Sequence, residues 1–223
     1  MGKKKLQQYK DIDSYKNLFQ FTYEEIQKGI HYKGNWAEKY FKNDNPITLE
    51  LGCGKGEYTL GLARKYLEKN FIGIDIKGAR LWRGATTALE EVLKNILFIR
   101  SPIELIGDYF SEGEIDEIWI TFPDPHPKTS RIRRRLTSPR FLKMYKNILI
   151  SKGIVHLKTD NQLLFNYTYE LLNELNLEVI FHTRDLYQSG IDDDVLLIKT
   201  FYEKKYLKDN IPINYLKFRI DNV

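Results

Sequence analysis

The order of apolar runs along the chain is the feature that most constrains its fold. Five short runs rich in β-branched and aromatic residues alternate with longer segments in which apolar residues recur at helical spacing. The runs are Ile47–Leu51, Phe71–Ile76, Ile96–Ile99, Ile118–Phe122 and Ile154–Leu157. Such alternation is typical of β-α-β units. The sequence therefore predicts an α/β fold built on a mostly parallel sheet.

The segments between these runs predict helices that pack on the sheet, at Tyr58–Lys69, Gly84–Lys94 and 162–175. A further strand is expected over Leu177–Phe181. The last run, Tyr215–Ile220, alternates like a strand with one solvent-exposed face.

The two ends of the chain are harder to assign. A turn-forming cluster at residues 43–46 precedes the first run, so residues 1–45 are expected to form an N-terminal extension and residues 46–223 a single domain. Residues 195–207 fit either a helix or a strand. The extension is rich in aromatic residues, which we expect to pack onto the core, with RNA contact as the alternative: Tyr9, Tyr15, Phe19, Phe21 and Tyr23.

Composition and charge limit the classes of partner and the cellular compartment that we expect. The net charge is +5 and the pI is about 9.0, a modest surplus that favours a polyanionic partner. Cys53 is the single cysteine, and no His or Cys spacing typical of zinc ligands occurs, so neither disulfides nor a metal are expected. The basic start is followed by polar residues, so we expect no export signal or membrane span and a cytoplasmic location.

A glycine-rich turn follows the first predicted strand. Gly52, Gly54 and Gly56 form G-x-G-x-G, which lacks the glycine spacing of a dinucleotide fingerprint. Asp75 ends the second strand, where a carboxylate can accept hydrogen bonds from a ribose. Glu50 precedes the glycines and favours a cationic ligand such as S-adenosylmethionine over a pyrophosphate, although pairing with a lysine is an alternative. A nicotinamide cofactor is the weaker alternative.

A proline-framed aspartate and a basic segment follow the fourth predicted strand. Asp124 stands among Pro123, Pro125 and Pro127, a composition that predicts a rigid loop. A basic segment comes next and could hold RNA phosphates, with a solvated surface as the alternative; its residues are Lys128, Arg131, Arg133, Arg134 and Arg135.

Over residues 46–220 these motifs resemble those of the tRNA (guanine-N7-)-methyltransferase family. The resemblance also includes two later motifs, Lys158-Thr159-Asp160-Asn161 and Thr200-Phe201-Tyr202-Glu203. The resemblance implies transfer of a methyl group from S-adenosylmethionine to N7 of the guanosine at position 46, in the variable loop of tRNA. It also implies a Rossmann-like class I methyltransferase fold, with a mostly parallel seven-stranded sheet, helices on both faces, an antiparallel last strand and a helix from Val195 to about Leu207.

The resemblance also implies which residues bind the cofactor and which bind the substrate. It implies that Glu50, the three glycines, Asp75 and Asp124 bind the cofactor, and that Asp124 lies in the active site. It assigns the substrate to Lys128, Asp160, Thr200, Phe201, Tyr202 and Glu203. Two positions depart from the family: Ser101 stands where an aspartate is common and is expected to bind the adenine, and His126 replaces a tryptophan.

The chemistry of guanine N7 limits what the protein must supply. N7 carries a lone pair and no proton, so alignment should matter more than a general base. We therefore expect Asp124 to position the base and to offset the charge that develops on it. Another class I methyltransferase with a different RNA, a protein or a small molecule as acceptor, and a non-catalytic RNA-binding module, remain alternatives. Both a monomer and a homodimer fit the sequence.

Overall fold

The computed structural model describes residues 3–191 and 193–221, and the chain forms two compact units, Met1–Ser111 and Glu112–Val223. The described residues contain eight β-strands, four in each unit. The boundary expected near residue 45 stays a prediction. No helix in the described ranges is both long and apolar enough to cross a membrane.

The first unit is built around four parallel strands in the order β1, β4, β3, β2. Its elements are α1 (Lys3–Ser14), β1 (Leu18–Phe19), α2 (Tyr23–Lys28), a π-helix (Trp36–Phe41), β2 (Ile47–Leu51), α3 (Glu57–Lys65), β3 (Asn70–Asp75), α4 (Gly78–Glu90), β4 (Ile96–Arg100), a 3-10 helix (Ile103–Leu105) and α5 (Ile106–Tyr109). Every residue of β2 and β3 is buried, as expected for parallel strands covered on both faces.

The second unit contains four strands in the order β5, β6, β8, β7. Its elements are β5 (Ile115–Thr121), a 3-10 helix (Thr129–Arg134), α6 (Pro139–Ile148), β6 (Leu149–Thr159), α7 (Gln162–Glu174), β7 (Val179–Thr183), two 3-10 helices (Leu186–Gln188 and Asp194–Leu197), α8 (Phe201–Lys208) and β8 (Asn214–Arg219). Strand β6 is parallel to β5, whereas β8 is antiparallel to both β6 and β7. The antiparallel last strand is confirmed.

Strands β5 and β6 begin earlier than expected, at Ile115 and Leu149, β7 is shifted to Val179–Thr183, and the last strand and helix of the second unit also differ from expectation. Strand β8 has no solvent-exposed face, because it lies between two other strands and buries four of its six residues. The continuous helix expected from Val195 to Leu207 is also wrong. A 3-10 turn ends at Leu197, and α8 begins after the extended residue Thr200, whose side chain accepts a hydrogen bond from the Glu203 amide.

The N-terminal segment packs within the first unit. Strand β1 pairs with β4 and adds an eighth strand to the seven expected. Phe19 stacks on Phe21, and its ring lies 5.5 Å from that of Trp36. Trp36 is fully buried and donates from Nε1 to the Tyr109 carbonyl at 2.9 Å. The expected packing is thereby confirmed for Phe19 and Phe21, while Tyr23 is 78% exposed.

Candidate functional site

The glycine turn after β2 gives a ligand access to bare backbone. Gly52, Gly54 and Gly56 have φ of 74°, 58° and 70°, in the left-handed region that favours glycine. A Cβ at Gly56 would lie 2.5 Å from the Phe98 ring, so this glycine is required by packing. A Cβ at Gly54 would meet nothing within 4 Å, so this glycine faces open space.

Asp75 ties this turn to the turn after β3. One carboxylate oxygen accepts from the Gly54 amide at 3.0 Å, and the other accepts from the Lys77 amide at 2.7 Å. The side chain is held at the carboxyl end of β3 with 9% of the residue exposed. Each oxygen has a second lone pair, so the carboxylate can still accept hydrogen bonds from ribose hydroxyls. These features fit the nucleoside of S-adenosylmethionine.

Glu50 and Ser101 lie deeper than Asp75. Both are only 2% exposed. The Glu50 carboxylate accepts from the Thr59 amide at 2.8 Å and from the Thr59 hydroxyl, which fixes the start of α3. Ser101 donates from its hydroxyl to the Pro102 carbonyl at 2.9 Å, and its amide donates to the Asp75 carbonyl at 3.2 Å. Their direct contact with a cofactor stays a prediction.

The proline-framed loop of the second unit presents Asp124 to solvent. Asp124 is exposed, whereas Phe122 and His126 on either side are partly buried. Both flanking residues adopt left-handed backbone, with φ of 49° and 42°. A non-glycine residue is uncommon in this region, so two of them in one loop indicate a conformation that the surroundings impose.

The basic segment after this loop divides into an exposed part and a buried residue. Lys128, Arg131, Arg133 and Arg134 are exposed. Arg135 is 4% exposed and donates to the carbonyls of Pro125 and His126. The structure thus gives Arg135 partners within the protein, in contrast to the phosphate contact expected for it.

Asp160 follows β6 and lies near the proline-framed loop. It is partly buried, and burial raises the pKa of its carboxyl while a hydrogen bond from Tyr206 acts against that rise. The Tyr206 ring lies 5.8 Å from the ring of Phe122. The second unit therefore brings Asp160 and the loop of Asp124 close together through one tyrosine.

The segment Thr200–Glu203 also divides in two. Glu203 is fully buried, accepts from the Tyr187 hydroxyl at 2.8 Å and forms an ion pair at 2.8 Å with the fully buried Lys158. Thr200 and Glu203 cap the start of α8 reciprocally. Phe201 and Tyr202 are 58% and 47% exposed, and their rings contact each other edge to face, with the ring centres 5.7 Å apart.

The buried cysteine and the arrangement of potential metal ligands limit the chemistry that the site can perform. Cys53 is buried, and burial raises the pKa of its thiol well above the usual value, so it is unsuited to act as a nucleophile. In the part of the chain that the structure describes, no group of three or more His, Cys, Asp or Glu side chains could hold a metal ion.

Two of the solved structures similar to this chain are rRNA methyltransferases. The 16S rRNA methyltransferase KamB has a TM-score of 0.60 at 14% identity and covers 81% of this chain and 90% of its own. The 30S ribosomal A1408 methyltransferase from an uncultured bacterium has a TM-score of 0.58 at 21% identity, over 80% of this chain and 89% of its own. At these identities the similarity shows the fold alone, which is the expected Rossmann-like class I methyltransferase fold.

Sequence comparison is more specific. Residues 44–215 match a family model described as "Putative methyltransferase". The tRNA (guanine-N(7)-)-methyltransferase of Christiangramia forsetii is 51% identical over 98% of this chain and 99% of its own length. That of Bacteroides fragilis is 49% identical over 98% of this chain and 86% of its own. The chain belongs to the tRNA (guanine-N(7)-)-methyltransferase family.

Proposed function

We propose that the protein transfers a methyl group from S-adenosylmethionine to N7 of the guanosine at position 46 of tRNA, in the cytoplasm. The observation that carries the acceptor is in the second unit, where exposed Asp124 is followed by exposed Arg131, Arg133 and Arg134. A carboxylate that can contact a base is therefore followed by cationic side chains that can bind phosphates. The family of the chain supports the same reaction.

The first unit holds the cofactor in this proposal. Asp75 accepts hydrogen bonds from the ribose, and the open space at Gly54 admits the ligand against the backbone. The buried carboxylate of Glu50 favours a cationic ligand through its charge. When bound, S-adenosylmethionine supplies an electrophilic methyl group on a sulfonium.

The second unit holds the RNA. The three exposed arginines and Lys128 bind phosphates, and Asp124 orients the guanine so that its N7 lone pair faces the methyl group. The N7–methyl bond would form as the sulfonium–methyl bond breaks, and S-adenosylhomocysteine would leave as the neutral thioether. The ring gains a positive charge as the methyl arrives, and the Asp124 carboxylate stabilises that charge without taking a proton. Phe201 and Tyr202 offer exposed rings on which an unstacked base can lie.

The proposal is tested with two tRNA transcripts that differ at one nucleotide. Labelled methyl groups from S-adenosylmethionine should enter a transcript with guanosine at position 46. A transcript with adenosine at that position should take up none. Equal uptake by both would contradict the position, and uptake by neither would contradict tRNA as the acceptor.

A further inference from the structure

The backbone around Asp124 is held in an unfavourable conformation. Phe122 and His126, two positions before and after Asp124, both have left-handed φ. Such residues persist only where their surroundings fix them. The amide of Phe122 is fixed by donation to the Lys158 carbonyl at 2.8 Å, which continues the β5–β6 pairing. The other end of the loop needs an anchor of its own.

Arg135 supplies that anchor. Its guanidinium donates to the Pro125 carbonyl at 3.0 Å from Nε and to the His126 carbonyl at 3.1 Å from Nη2. The two acceptors are consecutive carbonyls directly after Asp124. A guanidinium fork can bond both at once, whereas a lysine ammonium lacks this planar geometry. The guanidinium carbon also lies 4.3 Å from the centre of the Tyr167 ring on α7.

The backbone next to Arg135 is tied to two helices. The Tyr145 hydroxyl on α6 donates to the Leu136 carbonyl at 2.8 Å. Thr137 and Thr168 share a hydrogen bond of 2.7 Å between buried hydroxyls, which ties this segment to α7. The guanidinium therefore connects the Asp124 loop to the framework of the second unit.

We propose that Arg135 is a positioning residue for Asp124, and that its neighbours Arg133 and Arg134 contact the RNA. This inference rests on the proposed function, in which Asp124 orients the guanine. At 4% exposure, Arg135 can reach a phosphate only by leaving its carbonyl partners. Its removal should therefore misplace the carboxylate instead of weakening RNA binding.

The kinetic test compares Arg135→Ala with Arg133→Ala, since the second changes an exposed arginine of the same segment. Arg135→Ala should lower kcat roughly ten- to a hundredfold, because a small misplacement of a reacting group has effects of that size. Its KM for tRNA and the salt dependence of tRNA binding should stay as in the wild type. Arg133→Ala should raise KM for tRNA and reduce the salt slope by about 1, with kcat retained.

Three further measurements separate positioning from general loss of structure. Arg135→Lys retains the charge without the fork and should also lower kcat. Guanidinium ions at low millimolar concentration should raise the activity of Arg135→Ala but not that of Asp124→Ala. Hydrogen exchange at residues 122–128 should quicken in Arg135→Ala and in Arg135→Lys and stay unchanged in Arg133→Ala.

The outcomes are distinguishable. A raised KM, a flatter salt slope and an intact kcat in Arg135→Ala would overturn the inference and make Arg135 a phosphate contact. Wild-type kcat in Arg135→Lys, with wild-type exchange in the loop of both Arg135 variants, would also overturn it. If the wild type fails to methylate tRNA while the exchange result holds, the proposed function fails and Arg135 still anchors the loop.

Discussion

Lys158 and Glu203 form an ion pair whose side chains are fully buried. Because both charges are buried, removing one of them should cost much of the free energy of unfolding. The Lys158 ammonium lies 2.8 Å from the Glu203 carboxylate and 3.1 Å from the Leu196 carbonyl. In Glu203→Ala the ammonium stays buried without its counter-charge. We expect the free energy of unfolding to fall by about 3–5 kcal/mol, and the melting temperature by roughly 6–20 °C.

A double-mutant cycle measures the interaction by urea unfolding. Lys158→Met and Glu203→Leu should each destabilise strongly when made alone, and the double variant should lose much less than their sum, because two apolar side chains leave no buried charge. Lys204→Ala, an exposed change on the same helix, should stay within about 0.5 kcal/mol of the wild type. The structural role of the buried pair would be refuted if Glu203→Ala raised KM for tRNA while its free energy of unfolding fell by less than about 1 kcal/mol.

Four further variants test other parts of the structure. Asp75→Ala removes the acceptor for the amides of Gly54 and Lys77 and should abolish S-adenosylmethionine binding measured by calorimetry, while cofactor affinity like the wild type would contradict its role. Asp124→Ala should remove most methyl transfer without changing the melting temperature, because its side chain is exposed; full activity would remove it from the reaction. A variant with Arg133 and Arg134 changed to Gln should bind tRNA more weakly and reduce the salt slope by about 2, and an unchanged slope would count against phosphate contacts. Burial lowers the pKa of His156 in the folded state. Its contribution to the free energy of unfolding is therefore present above about pH 6.5, the usual histidine pKa, and is lost as the pH falls below that value. The free energy of unfolding of His156→Gln should depend less on pH in that range than that of the wild type, and an equal dependence would contradict the lowered pKa.

The parts of the fold that could be predicted are those set by local pattern. The buried strands are short runs rich in apolar residues, and the starts of β2 and β4 lie at the expected residues, Ile47 and Ile96. Asp75 ends its strand, and Asp160 directly follows its own, as the pattern of runs indicated. Buried parallel strands are mostly apolar, so a polar residue at the end of such a strand can be recognised in the sequence.

The roles of individual charged residues could not be predicted, because composition does not reveal burial. Arg134 and Arg135 are adjacent and chemically identical, yet one is exposed and the other is 4% exposed. The difference arises from the turn that ends the 3-10 helix at Arg134, which depends on packing against α6 and α7. The structural role of Glu203 did have a signal, since Thr200-x-x-Glu203 has the spacing of a capping box.

The central claim is that N7 of one tRNA guanosine receives the methyl group. Unmodified tRNA is incubated with the protein and S-adenosylmethionine, treated with borohydride and then with aniline, which cleaves the chain at N7-methylguanosine. The account predicts one new cut, at the variable-loop guanosine 46, which is absent with Asp124→Ala. Methyl incorporation without cleavage, or cleavage elsewhere in the tRNA, would contradict it.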